Sequence, residues 1–280
     1  MAKAVVFGYH DVGVRCLGAL LAARVDVPLV VTHRDDPHER IWFASVAELA
    51  RSKGIDTLLD PDIGALLPRL RAMAPDFIFS FYYRRMLPPE VLATAKRGAY
   101  NMHGSLLPKY RGRAPVNWAV LNGEAETGAT LHEMVAKPDA GRIVDQQAVP
   151  IGPDDLAVEV FRRVTDAAEA LMRRSIGPLL AGTAQLRPND LSRGSYYGGR
   201  RPEDGRIDWT KSAREIHNLV RAVAPPYPGA FCDRLKIYRT QLTERAAPGR
   251  APGPFRAQDK WFALCGDGKV LRLLEVEERK

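Results

Sequence analysis

The 280-residue chain reads as an α/β protein: a Rossmann-like, mostly parallel sheet followed by a small C-terminal β-rich domain, a β-barrel (OB-like) or a sandwich. Two observations predict this. Through the first half, short runs that are apolar on both faces alternate with helical stretches, the pattern of a parallel sheet covered on both sides. From Ala230 to Val276 the chain instead carries short strand candidates split by Gly and Pro.

Ala4-Val5-Val6-Phe7 is the first strand, and a helical pattern runs from Gly13 to Ala23. Val27 to Thr32 is the second strand, with Pro28 tolerated near its start. Apolar residues at Ile41, Ala44, Val46, Ala47, Leu49 and Ala50 predict a helix from about Arg40 to Lys53. A brief strand at Thr57-Leu58-Leu59, a helix between Asp62 and Met73 and a strand from Asp76 to Phe81 continue the alternation. Gly98-Ala99-Tyr100 opens a further buried strand. Thr127 to Val135 and Ile143 to Ile151 read as paired strands around a turn at Asp139-Ala140-Gly141. A long helix follows from Pro153-Asp154-Asp155 to about Leu180, with Asp154 as its N-cap. Pro188 to Arg201 is polar and Gly/Arg-rich, a linker. Beyond it lies a helix from Ala213 to Val223, and Gly266-Asp267-Gly268-Lys269 reads as a hairpin turn. The expected division is a Rossmann-like domain over residues 1–190 and a β-rich domain over 200–280.

Composition excludes several classes. Hydrophobic residues make up 46% and charged residues 26%, ordinary for a globular protein. No run approaches the ~20 apolar residues of a membrane span, and the N-terminus does not read as a signal peptide. Cys16, Cys232 and Cys265 are far apart and odd in number, which points to a reducing compartment, by default the cytoplasm. The net charge of +8 suits nucleic acid or phosphate ligands equally, but the basic residues are scattered among acidic ones. Gly8 to Gly13 has neither the dinucleotide fingerprint nor a P-loop spacing. No Cys or His pair has metal-site spacing, so no metal is expected, and there is no nucleophile elbow.

The densest chemistry lies in Asn101-Met102-His103-Gly104-Ser105-Leu106-Leu107-Pro108-Lys109-Tyr110-Arg111-Gly112-Arg113-Ala114-Pro115. An Asn before Gly and Pro is ordinarily turn chemistry, and a lone His is ordinarily structural. Here the run is longer than a turn needs. Asn101 and His103 are two apart, so in an extended segment they project from one face. One can polarise a carbonyl oxygen and the other can manage a proton, a pairing that suits acyl transfer.

This run, with Asp139-Ala140-Gly141 downstream, resembles the 10-formyltetrahydrofolate-dependent formyltransferases, and within them the enzymes that act on UDP-4-amino-4-deoxy-L-arabinose. The likeness extends to Val5-Val6-Phe7-Gly8-Tyr9-His10-Asp11, Phe79-Ser80-Phe81-Tyr82-Tyr83-Arg84, Gly199-Arg200-Arg201-Pro202-Glu203-Asp204 and Pro226-Tyr227-Pro228-Gly229, and it thins after Phe231. It implies the formyltransferase fold, with Asn101, His103 and Asp139 as the catalytic trio. Asn101 would donate to the formyl oxygen, His103 would take the amine's proton, and Asp139 would orient the imidazole and stabilise its protonated form.

The resemblance also implies contacts to 10-formyltetrahydrofolate from Arg85, Met86 and Leu87, from Arg113, and from Val135, Ala136, Lys137, Pro138 and Asp139. Most of these would be backbone contacts; Arg113 would offer a cation. The acceptor would be a nucleotide-linked amino sugar, with no nucleic acid or membrane partner, and a homodimer is compatible with the resemblance. Methionyl-tRNA formyltransferase shares the chemistry but carries a longer basic loop where Arg34-Asp35-Asp36-Pro37-His38-Glu39-Arg40 is short and mixed in charge. A non-catalytic nucleotide- or RNA-binding module would require loss of a trio member, and all three are present. Tyr82, Tyr83, Tyr110 and Trp118 are aromatic candidates for ligand stacking that core packing explains equally well.

Overall fold

The computed structural model of the chain describes residues 1–247 and 249–278. By contacts it divides into two compact units: residues 1–112, 128–149 and 163–196 form one, and residues 113–127, 150–162 and 197–280 the other. The second unit takes two stretches from the middle of the chain.

The first unit is built on Lys3–Gly8 (β1), His10–Ala22 (α1), Asp26–Thr32 (β2), Val46–Ser52 (α2), Asp56–Leu59 (β3), Leu67–Met73 (α3), Phe77–Phe81 (β4), Pro89–Leu92 (α4) and Gly98–His103 (β5). Arg111–Gly112 (β6) and Tyr196–Tyr197 (β9) make a two-stranded ribbon. Further along the chain come Pro115–Leu121 (α5), which belongs to the second unit, Glu126–Glu133 (β7), Ile143–Pro150 (β8) and Ala157–Ala181 (α6), whose residues up to 162 also count with the second unit. The main sheet runs β3-β2-β1-β4-β5-β7-β8, parallel from β3 through β5 and antiparallel between β5 and β7. Chain order reverses between β1 and β4, the switch point at which open α/β sheets bind ligands beyond their carboxyl ends. The apolar strands explain the fold: Phe7, Leu29, Val31, Ile78 and Val5 are fully buried in one cluster with Leu70 and Val91.

Two sequence expectations are corrected, and one helix was not expected. The helix expected from Arg40 begins only at Val46, because Ser45 accepts from the Glu48 N–H and caps it there. Upstream, Ala44 donates to Asp11 (2.8 Å), and Phe43 stacks on His10 (3.8 Å between ring centres). The apolar residues at 41–44 therefore serve a loop. Secondly, α6 starts at Ala157 rather than beside Asp154. The Leu156 N–H is satisfied by Glu159 (2.7 Å), while Asp154 lies 3.3 Å from His217 Nε2. Lastly, α5 was hidden by its Gly/Pro-rich surroundings.

In the second unit, Ala213–Val223 (α7) matches its expected bounds, and its start is a capping box between Ser212 and Glu215. Ala230–Phe231 (β10), Leu235–Ala246 (β11), Gly253–Ala257 (β12), Lys260–Leu264 (β13) and Lys269–Glu278 (β14) form an antiparallel sheet ordered β10-β11-β14-β13-β12. The expected Asp-Gly turn joins β13 to β14, with the Gly268 N–H donating to Cys265 (2.9 Å). Among the described residues no helix is long and apolar enough to cross a membrane.

Candidate active site

Asn101 and His103 stand at the carboxyl end of β5 with their side chains on one face. The turn after β5 is pinned from β7: Thr130 Oγ1 donates to the Ser105 carbonyl (2.6 Å) and accepts from the Leu107 N–H (3.2 Å). Ser105 Oγ in turn donates to the Lys109 carbonyl (2.6 Å). These bonds present the Tyr110 carbonyl to His103 Nε2 at 2.7 Å. A carbonyl only accepts, so Nε2 carries the proton, and Nδ1 of the neutral ring is a lone pair. That nitrogen faces Asp139 Oδ1, 3.6 Å away. His103 is only 6% exposed, which holds the ring in place.

Asp139 comes from the loop between β7 and β8, at a φ of 49°. Asp is among the few residues that tolerate this left-handed conformation. Burial alone would raise its pKa. The His103 and His132 rings, whose charged forms attract a carboxylate, and the Gly112 N–H at 2.8 Å outweigh burial and hold the carboxyl well below the usual carboxylate range. Asp139 is therefore an anion at neutral pH. Gly141 lets the loop close, since a Cβ there would fall 2.1 Å from the Glu133 carbonyl oxygen.

Asn101 Nδ2 approaches Asp139 Oδ1 at 3.5 Å, a long bond, and His132 Nε2 at 3.2 Å. His132 was missed in the sequence. It lies on β7 directly opposite Asn101 in the antiparallel register. Its Nδ1 donates to the Glu133 carbonyl (2.7 Å), so in the neutral ring Nε2, which lies 3.5 Å from Asp139 Oδ1, accepts and the NH2 of Asn101 turns toward it. The structure thus brings Asn101, His103 and Asp139 together. One Asn101 N–H is held by His132, and the other makes only the long bond.

The remaining candidates are dispersed. In the first unit Arg85 is tied to the Pro61 carbonyl (3.2 Å) and Asp60 (3.3 Å), and Leu87 is buried in the apolar core. Met86 and Val135 are large hydrophobics left 57% and 39% exposed, while Ala136 and Lys137 are exposed and Pro138 half-buried. Arg113 belongs to the second unit, exposed, its N–H donating to the Tyr197 carbonyl (3.0 Å). Of the aromatic candidates, Tyr83 and Tyr110 are buried, Tyr83 stacking on His33 (4.2 Å). Tyr82 adopts a φ of 57°. Trp118 stacks on Tyr197 (4.7 Å) beneath the Arg200 guanidinium. The loop at 34–40 folds onto its own unit, with Arg84 gripping Glu39 through two 2.9 Å bonds and Tyr9 donating to Asp35 (2.8 Å).

An amide, a buried imidazole and a carboxylate around one point are the parts of an acyl-transfer site. Residues 5–176 match the family model described as formyl transferase, and residues 200–280 match that of the formyl transferase C-terminal domain. The chain belongs to the formyl transferase family. Its mostly parallel sheet and C-terminal antiparallel domain are the formyltransferase fold, as expected.

Solved structures share that fold, two of them along all or nearly all of the chain. An N-formyltransferase from Helicobacter canadensis, crystallised with folinic acid and dTDP-3-aminofucose, superposes at a TM-score of 0.80 and 22% identity, covering 100% of both chains. WlaRD, a sugar 3N-formyl transferase crystallised with dTDP and 5-N-formyl-THF, gives 0.78 at 21% identity, over 98% of this chain and 97% of its own. Glycinamide ribonucleotide transformylase 1 from Symbiobacterium toebii gives 0.58 at 25% identity, over 68% of this chain and 95% of its own.

Proposed function

We propose that this formyl transferase moves a formyl group from 10-formyltetrahydrofolate to the amine of a nucleotide-linked amino sugar, with UDP-4-amino-4-deoxy-L-arabinose the acceptor that its sequence most resembles. The convergence of Asn101, His103 and Asp139 within 3.6 Å at the end of β5 carries the reading. The folate supplies a formyl carbon bound to a nitrogen leaving group. As the sugar nitrogen bonds to that carbon, negative charge builds on the formyl oxygen, and the loosely held N–H of Asn101 is its donor. His103 Nδ1 takes the amine's proton, because Nε2 is already committed to Tyr110. The imidazolium so formed faces the Asp139 carboxylate, and its proton is then available to the departing folate nitrogen. No covalent enzyme adduct is needed.

Exposed Met86 and Val135 fit a ring ligand, and the commitment of the Arg85 side chain to Asp60 suits a contact made there by backbone. We assign the folate to Arg85–Leu87 and Val135–Asp139 on this basis and on the resemblance, and to Arg113 on the resemblance alone. An amino-sugar acceptor is favoured over tRNA because the 34–40 loop is short and its acids are held by Arg84 and Tyr9. The relatives crystallised with dTDP-3-aminofucose and dTDP widen the acceptor class to dTDP-linked 3-amino sugars. Incubation with 10-formyltetrahydrofolate and a panel of UDP- and dTDP-linked 3- and 4-amino sugars, with methionyl-tRNA as a further arm, decides by mass spectrometry. A formylated sugar is expected. Faster formylation of methionyl-tRNA than of every sugar would overturn the assignment.

A further inference from the structure

Asp139 holds a backbone conformation that costs energy in most residues, and something outside its own loop must secure it. The segment expected to be a plain linker, together with Arg187 just before it, does so. Ile143 and Arg187 exchange two backbone hydrogen bonds (2.8 and 2.9 Å), which fasten residue 187 beside the start of β8. The Arg187 guanidinium reaches Gln146 Oε1 (2.5 Å) on the same strand. Two residues on, Asn189 Nδ2 donates to the carbonyls of Asp139 (3.0 Å) and Gly141 (3.2 Å). One amide thus clamps both flanks of the bend that carries the carboxylate.

We propose that Asn189 is a positioning residue for the reaction: by gripping the Asp139 and Gly141 carbonyls it sets the Asp139 carboxylate against the Gly112 N–H and His103 Nδ1. The catalytic half of this statement rests on the role assigned to Asp139 under Proposed function. Only an NH2 satisfies the clamp, because both partners are acceptors and each takes one of its two hydrogens. Asp at position 189, nearly isosteric, would set oxygen against two carbonyl oxygens and push the bend away.

The Gly112 amide reports the carboxylate's position directly, since it donates to Asp139 Oδ2 at 2.8 Å, and it is readable by NMR in the free protein without any acceptor. Asn189→Asp should shift that amide resonance in the same direction as Asp139→Asn, leave the amides of β1 and β4 in place, and add nothing in the double variant. In turnover, with 10-formyltetrahydrofolate and the panel sugar that the wild type formylates, Asn189→Asp should lower kcat about tenfold or more, the scale of a small misplacement of a reacting group. In the Asp139→Asn background the same change should alter kcat by less than about twofold, because the two act through one group. Should Asn189→Asp not fold, Asn189→Ala is read in the same way. A Gly112 amide unmoved in a folded Asn189 variant, or equal losses in both backgrounds, overturns the proposal. If Asn189→Asp moves the Gly112 amide while Asp139→Asn keeps wild-type kcat, the clamp stands as structure and the catalytic reading of Asp139 fails.

Discussion

His132 Nε2 accepts from Asn101 Nδ2 at 3.2 Å across the β5–β7 pair, and this bond fixes which way the Asn101 amide points. A carbonyl oxygen turned into the site would repel the formyl oxygen; an N–H stabilises it. His132→Leu frees the amide to rotate and should lower turnover about tenfold, the worth of one well-placed hydrogen bond. His132→Gln, which keeps an acceptor, should retain more. Steady-state kinetics of the two variants check this, and equal turnover in both would remove the orienting role.

His10 gives the chain an acid-sensitive stability. Burial, with the Arg84 charge nearby, pulls its pKa from the ordinary 6.5 down to about 3, and its Nδ1 accepts the Asp11 N–H at 2.9 Å. Because the folded value lies below the unfolded one, the unfolded chain takes up this proton first. The His10 contribution to stability is complete above about 6.5 and is lost as the pH falls toward 3. His33 and His217 are also lowered by burial and act in the same direction. His10→Asn keeps an acceptor and tolerates the φ of 66°, so its urea midpoint should fall less steeply than the wild type's between pH 6.5 and pH 3. Parallel slopes would contradict the assignment.

Gly141→Ala places a methyl against the Glu133 carbonyl, 2.1 Å from its oxygen before any relaxation. The backbone must move, at a cost of about 1–3 kcal/mol, the usual range for overpacking. Urea unfolding should show the loss, and turnover should fall with it because Asp139 rides on the same loop. An unchanged midpoint would mean that the loop yields freely.

The sequence carried the fold well where burial is two-sided. Val5, Phe7, Leu29, Val31 and Ile78 in one cluster, and their alternating neighbours Val6, Val30 and Phe79, are all fully buried, so the strands are apolar on both faces and mark themselves without help from context. It misled where apolar residues serve tertiary contacts: Phe43 faces His10 instead of a helix stripe, and Asp154 faces His217 instead of a helix start. Asn101 and His103 could be paired from their spacing on one strand. His132 could not, because its partnership with Asn101 exists only in the β5–β7 register, thirty-one positions apart in sequence. Asn189 was obscured by the polar composition around it, which reads as a linker until its amide is seen on the Asp139 carbonyl.

The most direct test of the central claim is turnover of His103→Ala with 10-formyltetrahydrofolate and the amino sugar that the wild type formylates, beside Asn101→Ala and Asp139→Asn. Loss of the base and of the oxyanion donor should each lower kcat by about 10²-fold or more, with donor affinity changed far less. Asp139→Asn should also depress kcat, and the combined variants should fall well short of the product of the single losses. A His103→Ala enzyme that formylates the sugar at close to the wild-type rate would contradict the account.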